Sequence, residues 1–300
     1  MPELPDVIVY TEALTKLLQG SVIDRLVVRS PFVLRTFSPT IDEIEGTQIL
    51  GFSRRGKRIV WHLENERFLV FHLMIAGRFH WSSSLKHPKG KNDLLAIHVA
   101  DGTMMLTEAS TKKRAGLWIV GSLAEVEAMD PGGLDVLHST LEAFTQRLQE
   151  GNHTLKRALT SPRILDGIGN AYSDEILHAA QLSPFRRTSQ LKAEEWERLH
   201  QAAQSVLQVW TERLREDSAH ADFPEKVTAF REEMAVHGKF GQPCPVCGAP
   251  VQRICYSENE CNYCPGCQTD GNVLADRSLS RLLKDDWPRT VEEWESMFEK

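Results

Sequence analysis

The chain has 300 residues, 41% of them hydrophobic and 25% charged, with a formal net charge of −6; this is globular composition, long enough for two or three domains. No apolar run approaches the roughly 18 residues of a membrane span, and no basic-then-apolar leader opens the chain, so neither membrane insertion nor export is expected and a cytoplasmic location is. The acidic balance excludes a uniformly basic nucleic-acid binder but not a single basic face, and positive charge is concentrated in SRRGKR (Arg54, Arg55, Lys57, Arg58) and TKKR (Lys112, Lys113, Arg114).

In chain order, residues 5–19 are expected to form a helix, because Val7, Tyr10, Leu14, Leu17 and Leu18 share one face at helical spacing. Pro5 suits the first turn, where its missing N–H costs nothing, and Gly20 suits the end. From 21 to about 121 the pattern becomes short β-branched or aromatic runs divided by Gly, Asn and Asp. These read as an antiparallel sandwich or barrel, with SSSLKHPKGKN as a polar loop. AMDPGGLDV marks a boundary. Amphipathic helices follow in LHSTLEAFTQRLQE and EEWERLHQAAQSVLQVWTERLRE, and between them lie a short helix, a Gly-Ile-Gly-Asn turn and another helix. The domains expected are 1–130, 131–235, a cysteine module over 236–272, and a charged tail over 273–300 that is helical in places.

All six cysteines lie between Cys244 and Cys267. Cys244, Cys247, Cys264 and Cys267 form two CxxC knuckles separated by sixteen residues, a spacing that presents four thiolates tetrahedrally to one structural Zn2+ with no open coordination position. Cys261 with Cys264 is also a CxxC, but the CPGC pair mirrors CPVC and is preferred. Redox pairing is the competing reading. Cys255 and Cys261 are then spare thiols, expected to be buried.

The opening MPELPDV has an ordinary explanation as a capped helix start, and a chemical one. With Met1 removed, Pro2 is a free secondary amine. An α-amino group has a pKa of about 7.7–8.0, so a useful fraction is neutral near pH 7 and can attack carbon. A secondary amine at a sugar C1′ gives an iminium with no N–H to lose. That electron sink acidifies C2′ and favours β-elimination of the 3′-phosphate. Glu3 is placed to shuttle the protons.

MPELPDV, SRRGKR over 53–58 and LDGIGNAYSDEIL over 165–177, followed in the same order by the cysteine module, together resemble the formamidopyrimidine-DNA glycosylase/endonuclease VIII family over residues 1 to about 270. The resemblance implies an α+β fold: an N-terminal antiparallel β-sandwich flanked by helices, a helix–two-turn–helix domain, and a C-terminal zinc-finger hairpin. It implies a bifunctional DNA glycosylase and abasic-site lyase of base excision repair, bacterial, nucleoid-associated and monomeric, with damaged DNA as partner. By the resemblance Pro2 is the nucleophile, Glu3 the general acid/base and Lys57 a phosphate contact beside the lesion. Asn170 holds a phosphate at a helix N-terminus, with Gly169 and Gly167 permitting the turn. His72 matches a family histidine, with a core or strand histidine reading nearly as well, and Asp6 replaces the commoner glutamate, a carboxylate that reads equally well as a partner of the helix dipole in the first turn.

The chain also departs from the family pattern. Asn259 stands where many relatives have an arginine, removing a charge-assisted contact to phosphate. Met74 and Ile75 are shifted by one from the methionine that fills the space of a flipped base, so either is a candidate for that role. In KKRAG, Arg114 is kept but Ala115 replaces an aromatic wedge. No guanine-capping loop is recognisable in REDSAHADFPEK. These features disfavour 8-oxoguanine in duplex DNA and leave oxidised pyrimidines, ring-opened purines and unpaired substrates open. They also leave open a catalytically inactive damage-binding protein of the same fold, and a zinc-ribbon adaptor that would not explain the N-terminus.

Overall fold

The computed structural model describes residues 1–224, 227, 231–256, 259–275 and 288–296. The chain divides into two compact units, one of residues 1–131 with 209–229 and one of residues 132–208 with 230–300. Among the described residues no helix is long and apolar enough to cross a membrane.

The first unit is a sandwich of two four-stranded antiparallel sheets. One sheet has the order β1 (Arg25–Val28), β6 (Asp93–Val99), β7 (Gly102–Glu108), β5 (Gly77–Ser82). The other has the order β2 (Ile49–Arg55), β3 (Arg58–Leu63), β4 (Arg67–His72), β8 (Gly116–Val120). Alternation along the strands sends Ile59, Trp61, Leu69 and Phe71 from one sheet into the same core as Phe79, Leu95, Ile97 and Leu106 from the other. Phe79 packs edge-on against Phe71 at 5.1 Å between ring centroids. Helix α1 (Leu4–Leu18) adds the expected apolar face, Val7, Tyr10, Leu14 and Leu18, to that core. Pro5 sits in its first turn and Gly20, at φ +87°, follows its end. The short α2 (Leu123–Ala128) and the last turns of α6 (Ala193–Ser218) also belong to this unit. There the Arg215 guanidinium donates to both carboxylate oxygens of Glu12, at 2.9 and 2.5 Å.

In the second unit, α3 (Leu141–Gln149), α4 (Leu155–Thr160), α5 (Asn170–Ala179) and the start of α6 surround Phe144, Leu155, Leu159, Ile176 and Leu199, all fully buried. Side-chain hydroxyls of Thr140 and Thr154 accept the backbone N–H three residues on and so start α3 and α4. The cysteine module is the hairpin β9 (Gln252–Tyr256) and β10 (Asn259–Tyr263), with the one-turn α7 (Pro265–Gln268) behind it. A final helix spans Val291–Ser296, and its Trp294 packs edge-on against Phe240. One expectation fails: Cys261 is buried, but Cys255 is exposed. The two lie in adjacent registers of the hairpin, with Cys255 opposite Glu260 and Cys261 opposite Ile254. The pleat therefore sends them to opposite faces.

Candidate nucleic-acid interface and metal centre

The start of α1 places the first three residues inside the first unit. Pro2 is buried and Glu3 is 2% exposed. The Glu3 backbone N–H donates to Asp6 Oδ2 at 2.8 Å, and Glu3 C=O accepts from Val7 at 2.9 Å. Asp6 is thus the helix-capping acceptor and is itself buried. The α-amino group at the chain start lies among Glu3, Arg78, Asp6 and Lys57. Burial pulls its pKa below the usual 8.0; the two carboxylates oppose that pull and the two cations reinforce it. Lys57 reaches this position from the tight β2–β3 turn. Gly56 there has φ +60° and Arg55 pairs with Arg58, so a two-residue loop with glycine first matches the strand twist.

Three further elements of the same unit carry expected contacts. His72 ends β4, where its Nδ1 accepts the backbone N–H of Met74 at 3.2 Å. Burial first, then the charges of Arg58 and Lys57, push the imidazole down to about 4. Met74 adopts φ +53° in the turn that follows. Gly77 closes that turn with its backbone N–H on Leu73 O at 2.8 Å, and a side chain there would collide with that carbonyl. Met74 is half-buried, whereas Ile75 is 52% exposed. In the KKRAG loop, buried Glu108 accepts the backbone N–H of Arg114 and Ala115 at 2.8 and 3.0 Å. Ala115 is buried beneath the loop, and the Arg114 side chain is exposed.

In the second unit, Gly169 precedes α5 as its N-cap and Gly167 adopts φ +74°. Asn170 is the first residue of the helix, and its Nδ2 donates to Glu260 O of β10 at 2.7 Å. The backbone of Asn259 pairs with Tyr256; its side chain and the hairpin tip at 257–258 lie outside the described residues, as do 225–226 at the end of REDSAHADFPEK.

Helix α5 continues to engage the cysteine module. Glu175 accepts the backbone N–H of Ala235, Val236 and His237 at 2.8, 2.9 and 2.9 Å. Asp174, fully enclosed, receives Lys156 Nζ at 2.6 Å and His237 Nδ1 at 2.7 Å. Burial opposes its ionisation, but the Lys156 ammonium and the His237 hydrogen bond hold its pKa down. Asp174 and Glu175 lie within the 165–177 motif, but it assigned them no partners, and nothing pointed to His237 or Glu108; their partners are backbone groups or side chains fixed only by the fold.

The four expected metal ligands are brought together. Cys244 Sγ lies 3.8 Å from Cys267 Sγ, and Cys247 Sγ lies 3.3 Å from Cys264 Sγ. The ligand atoms of His178, Cys244, Cys264 and Cys267 all fall within 4.8 Å of one another, so the cluster can hold a metal ion. Burial pushes the Cys264 thiol up and carries Cys267 to about 12. At Cys244 burial acts the same way, but backbone N–H groups of Cys247 and Val246 and the His178 ring bring the thiol below its usual value.

Residues 1–113 match the family model described as the formamidopyrimidine-DNA glycosylase N-terminal domain, and residues 133–219 match its H2TH domain. The formamidopyrimidine-DNA glycosylase of Moorella thermoacetica is 32% identical over 263 residues, covering 85% of this chain and 94% of the relative. That of Symbiobacterium thermophilum is 30% identical over 288 residues, covering 92% and 93%. Among solved structures, the Lactococcus lactis Fpg in complex with DNA containing an abasic site is similar with a TM-score of 0.79 at 25% identity, covering 89% of this chain and 99% of that one. The chain belongs to the formamidopyrimidine-DNA glycosylase family.

Proposed function

We propose that this protein is a bifunctional DNA glycosylase and abasic-site lyase of base excision repair, working as a cytoplasmic monomer on damaged DNA. Glycosylase activity follows from the family; the residue roles rest on the first unit. The observation that carries them is the buried chain start, flanked by the Glu3 carboxylate and the Lys57 and Arg78 cations.

With Met1 removed, the Pro2 nitrogen attacks C1′ of the lesion nucleotide and the C1′–base bond breaks, the base leaving with a proton. Glu3 is placed to supply and recover protons. The C1′–O4′ bond of the adduct then breaks, with a proton from Glu3 going to O4′, and the Pro2 nitrogen lone pair forms a cationic iminium. Loss of a C2′ proton then expels the 3′-phosphate, and water releases Pro2. Lys57 holds the phosphate backbone in register. Asn170, Gly169, Arg114, His72 and Asn259 are the further DNA contacts, with Met74 or Ile75 filling the space of the flipped base; exposure favours Ile75.

Cys244, Cys247, Cys264 and Cys267 would hold one Zn2+, and their sulfur separations of 3.3 and 3.8 Å suit a tetrahedral thiolate set. The metal would neutralise thiolate charge and brace the hairpin.

Borohydride trapping tests the reading. Protein lacking Met1 should form a covalent adduct with abasic DNA, and Pro2→Gly should form none. An intact, correctly processed chain that stays unlinked would leave only the damage-binding alternative.

A further inference from the structure

The C-terminal turn of α5 carries a side chain that the proposed reaction does not use. His178 is 7% exposed, and its Nε2 lies 3.3 Å from Cys244 Sγ. It comes from outside both cysteine knuckles. Within the knuckles the sulfurs receive backbone donors: Val246 N–H to Cys244 Sγ and Cys267 N–H to Cys264 Sγ, both at 3.4 Å.

Two roles are chemically open to an imidazole here, ligand or hydrogen-bond donor. The donor role fits the sulfur set better. Cys247 Sγ sits 3.3 Å from Cys264 Sγ and Cys244 Sγ 3.8 Å from Cys267 Sγ, so four thiols already supply a tetrahedral shell. Four thiolates around a dication leave a net charge of −2, and Cys244, which His178 touches, is buried. An N–H donor from a neighbouring element offsets that charge and lowers the basicity of the sulfur it touches.

We propose that His178 is a positioning residue of the metal centre: protonated on Nε2, it donates to the Cys244 thiolate from α5 and ties that helix to the metal without ligating it. The tie completes a series along one helix. Asn170 engages β10 at the N-terminal end, Glu175 engages residues 235–237 in the middle, and His178 engages the sulfur cluster near the C-terminal end. Metal retention and the placement of α5 are therefore linked. This rests on reading the cluster as a zinc site.

The test uses the purified holoprotein. Zinc content is measured first, then zinc release to excess chelator, in wild type, His178→Phe and His178→Gln. Phenylalanine keeps a ring without a donor; glutamine keeps an amide N–H near the Nε2 position. Loss of an outer-shell partner typically weakens metal binding about 10- to 100-fold. Release should accelerate at least about ten-fold in His178→Phe and return towards wild type in His178→Gln. Cobalt-substituted wild type and His178→Phe should give the same four-sulfur spectrum. Equal release rates in all three proteins would overturn the proposal, and so would a cobalt spectrum showing a nitrogen ligand in wild type. Should His178→Phe not fold, cadmium-113-loaded wild type with 15N-labelled histidine decides. A proton on Nε2 coupled to cadmium through the sulfur supports the donor role, and a direct nitrogen–cadmium coupling overturns it. Absence of bound zinc in any preparation would defeat the zinc reading itself, an outcome distinct from bound zinc that His178 does not influence.

Discussion

Burial and the neighbouring charges of Arg58 and Lys57 push the His72 imidazole down to about 4, so it is neutral at pH 7 and free to accept the Met74 N–H. Its folded pKa lies below the unfolded value of about 6.5. The unfolded state therefore binds the proton first as pH falls; the stabilisation is complete above pH 6.5 and disappears as pH drops through 4. Between pH 7 and pH 4 this one residue should cost about 3 kcal/mol, an upper figure given its partial exposure. His72→Asn, which keeps an acceptor but cannot be protonated, should flatten that part of the stability profile in urea titrations. An unchanged acid slope would remove the electrostatic account of this residue. The amine at the chain start obeys similar physics. Lys57 lowers the pKa of the Met1 α-amino group; placed beside the Pro2 amine of the chain lacking Met1, the same cation should act alike, so Lys57→Met should raise that amine's pKa and move the acid limb of the borohydride-trapping rate to higher pH. A slower reaction with the same pH midpoint would instead confine Lys57 to holding phosphate. The sequence singled out Pro2, Glu3 and Lys57 as candidates because their residue types are distinctive where they stand. His72 was ambiguous because its pKa is set by burial first and then by Arg58, its partner across the β3–β4 pairing, and by Lys57 in the turn before β3.

At the scale of elements, the strands, α1 and the two knuckles were readable because periodicity and spacing are local signals. The acceptors that hold loops in place were not. Glu175 sits on α5 sixty residues before the backbone it caps, and in the sequence it lies within the 165–177 motif with no partner assigned to it. Removing it leaves three backbone donors without their acceptor, each worth about 1–3 kcal/mol when buried. Glu175→Ala should thus destabilise the second unit by about 3 kcal/mol or more, read as a lower urea midpoint with zinc present. A change below about 1 kcal/mol would mean that water replaces the carboxylate. Glu108 does the same for the Arg114–Ala115 loop. The hairpin shows a second limit. The sequence treated Cys255 and Cys261 alike, yet the register of β9 against β10 exposes one and buries the other, and register is a property of the pair of strands.

Across the whole molecule, the fold class was legible because its parts appear in order: strands, then helices, then clustered cysteines. Substrate preference was not legible in that way, and the prediction made for it rests on two loops. Ala115 is buried and its loop is pinned by Glu108, so that loop offers no apolar side chain from this position to the base stack. Ile75, 52% exposed on a turn fixed by Gly77 and His72, is the apolar side chain its turn presents to solvent. Extruding a paired base costs a few kcal/mol, least where pairing is already lost, and each 1.36 kcal/mol left unpaid is tenfold in rate. On the proposed reading, with Ile75 as the wedge, one short aliphatic side chain recovers only part of that cost. The same lesion should therefore be processed at least about ten-fold faster in a bubble or single strand than in a matched duplex under single-turnover conditions. Ile75→Ala should widen the gap by slowing the duplex reaction while sparing the bubble. Equal slowing on both substrates would place Ile75 in binding rather than extrusion, and a wild-type protein that prefers the matched duplex would show that extrusion is driven from elsewhere in the chain.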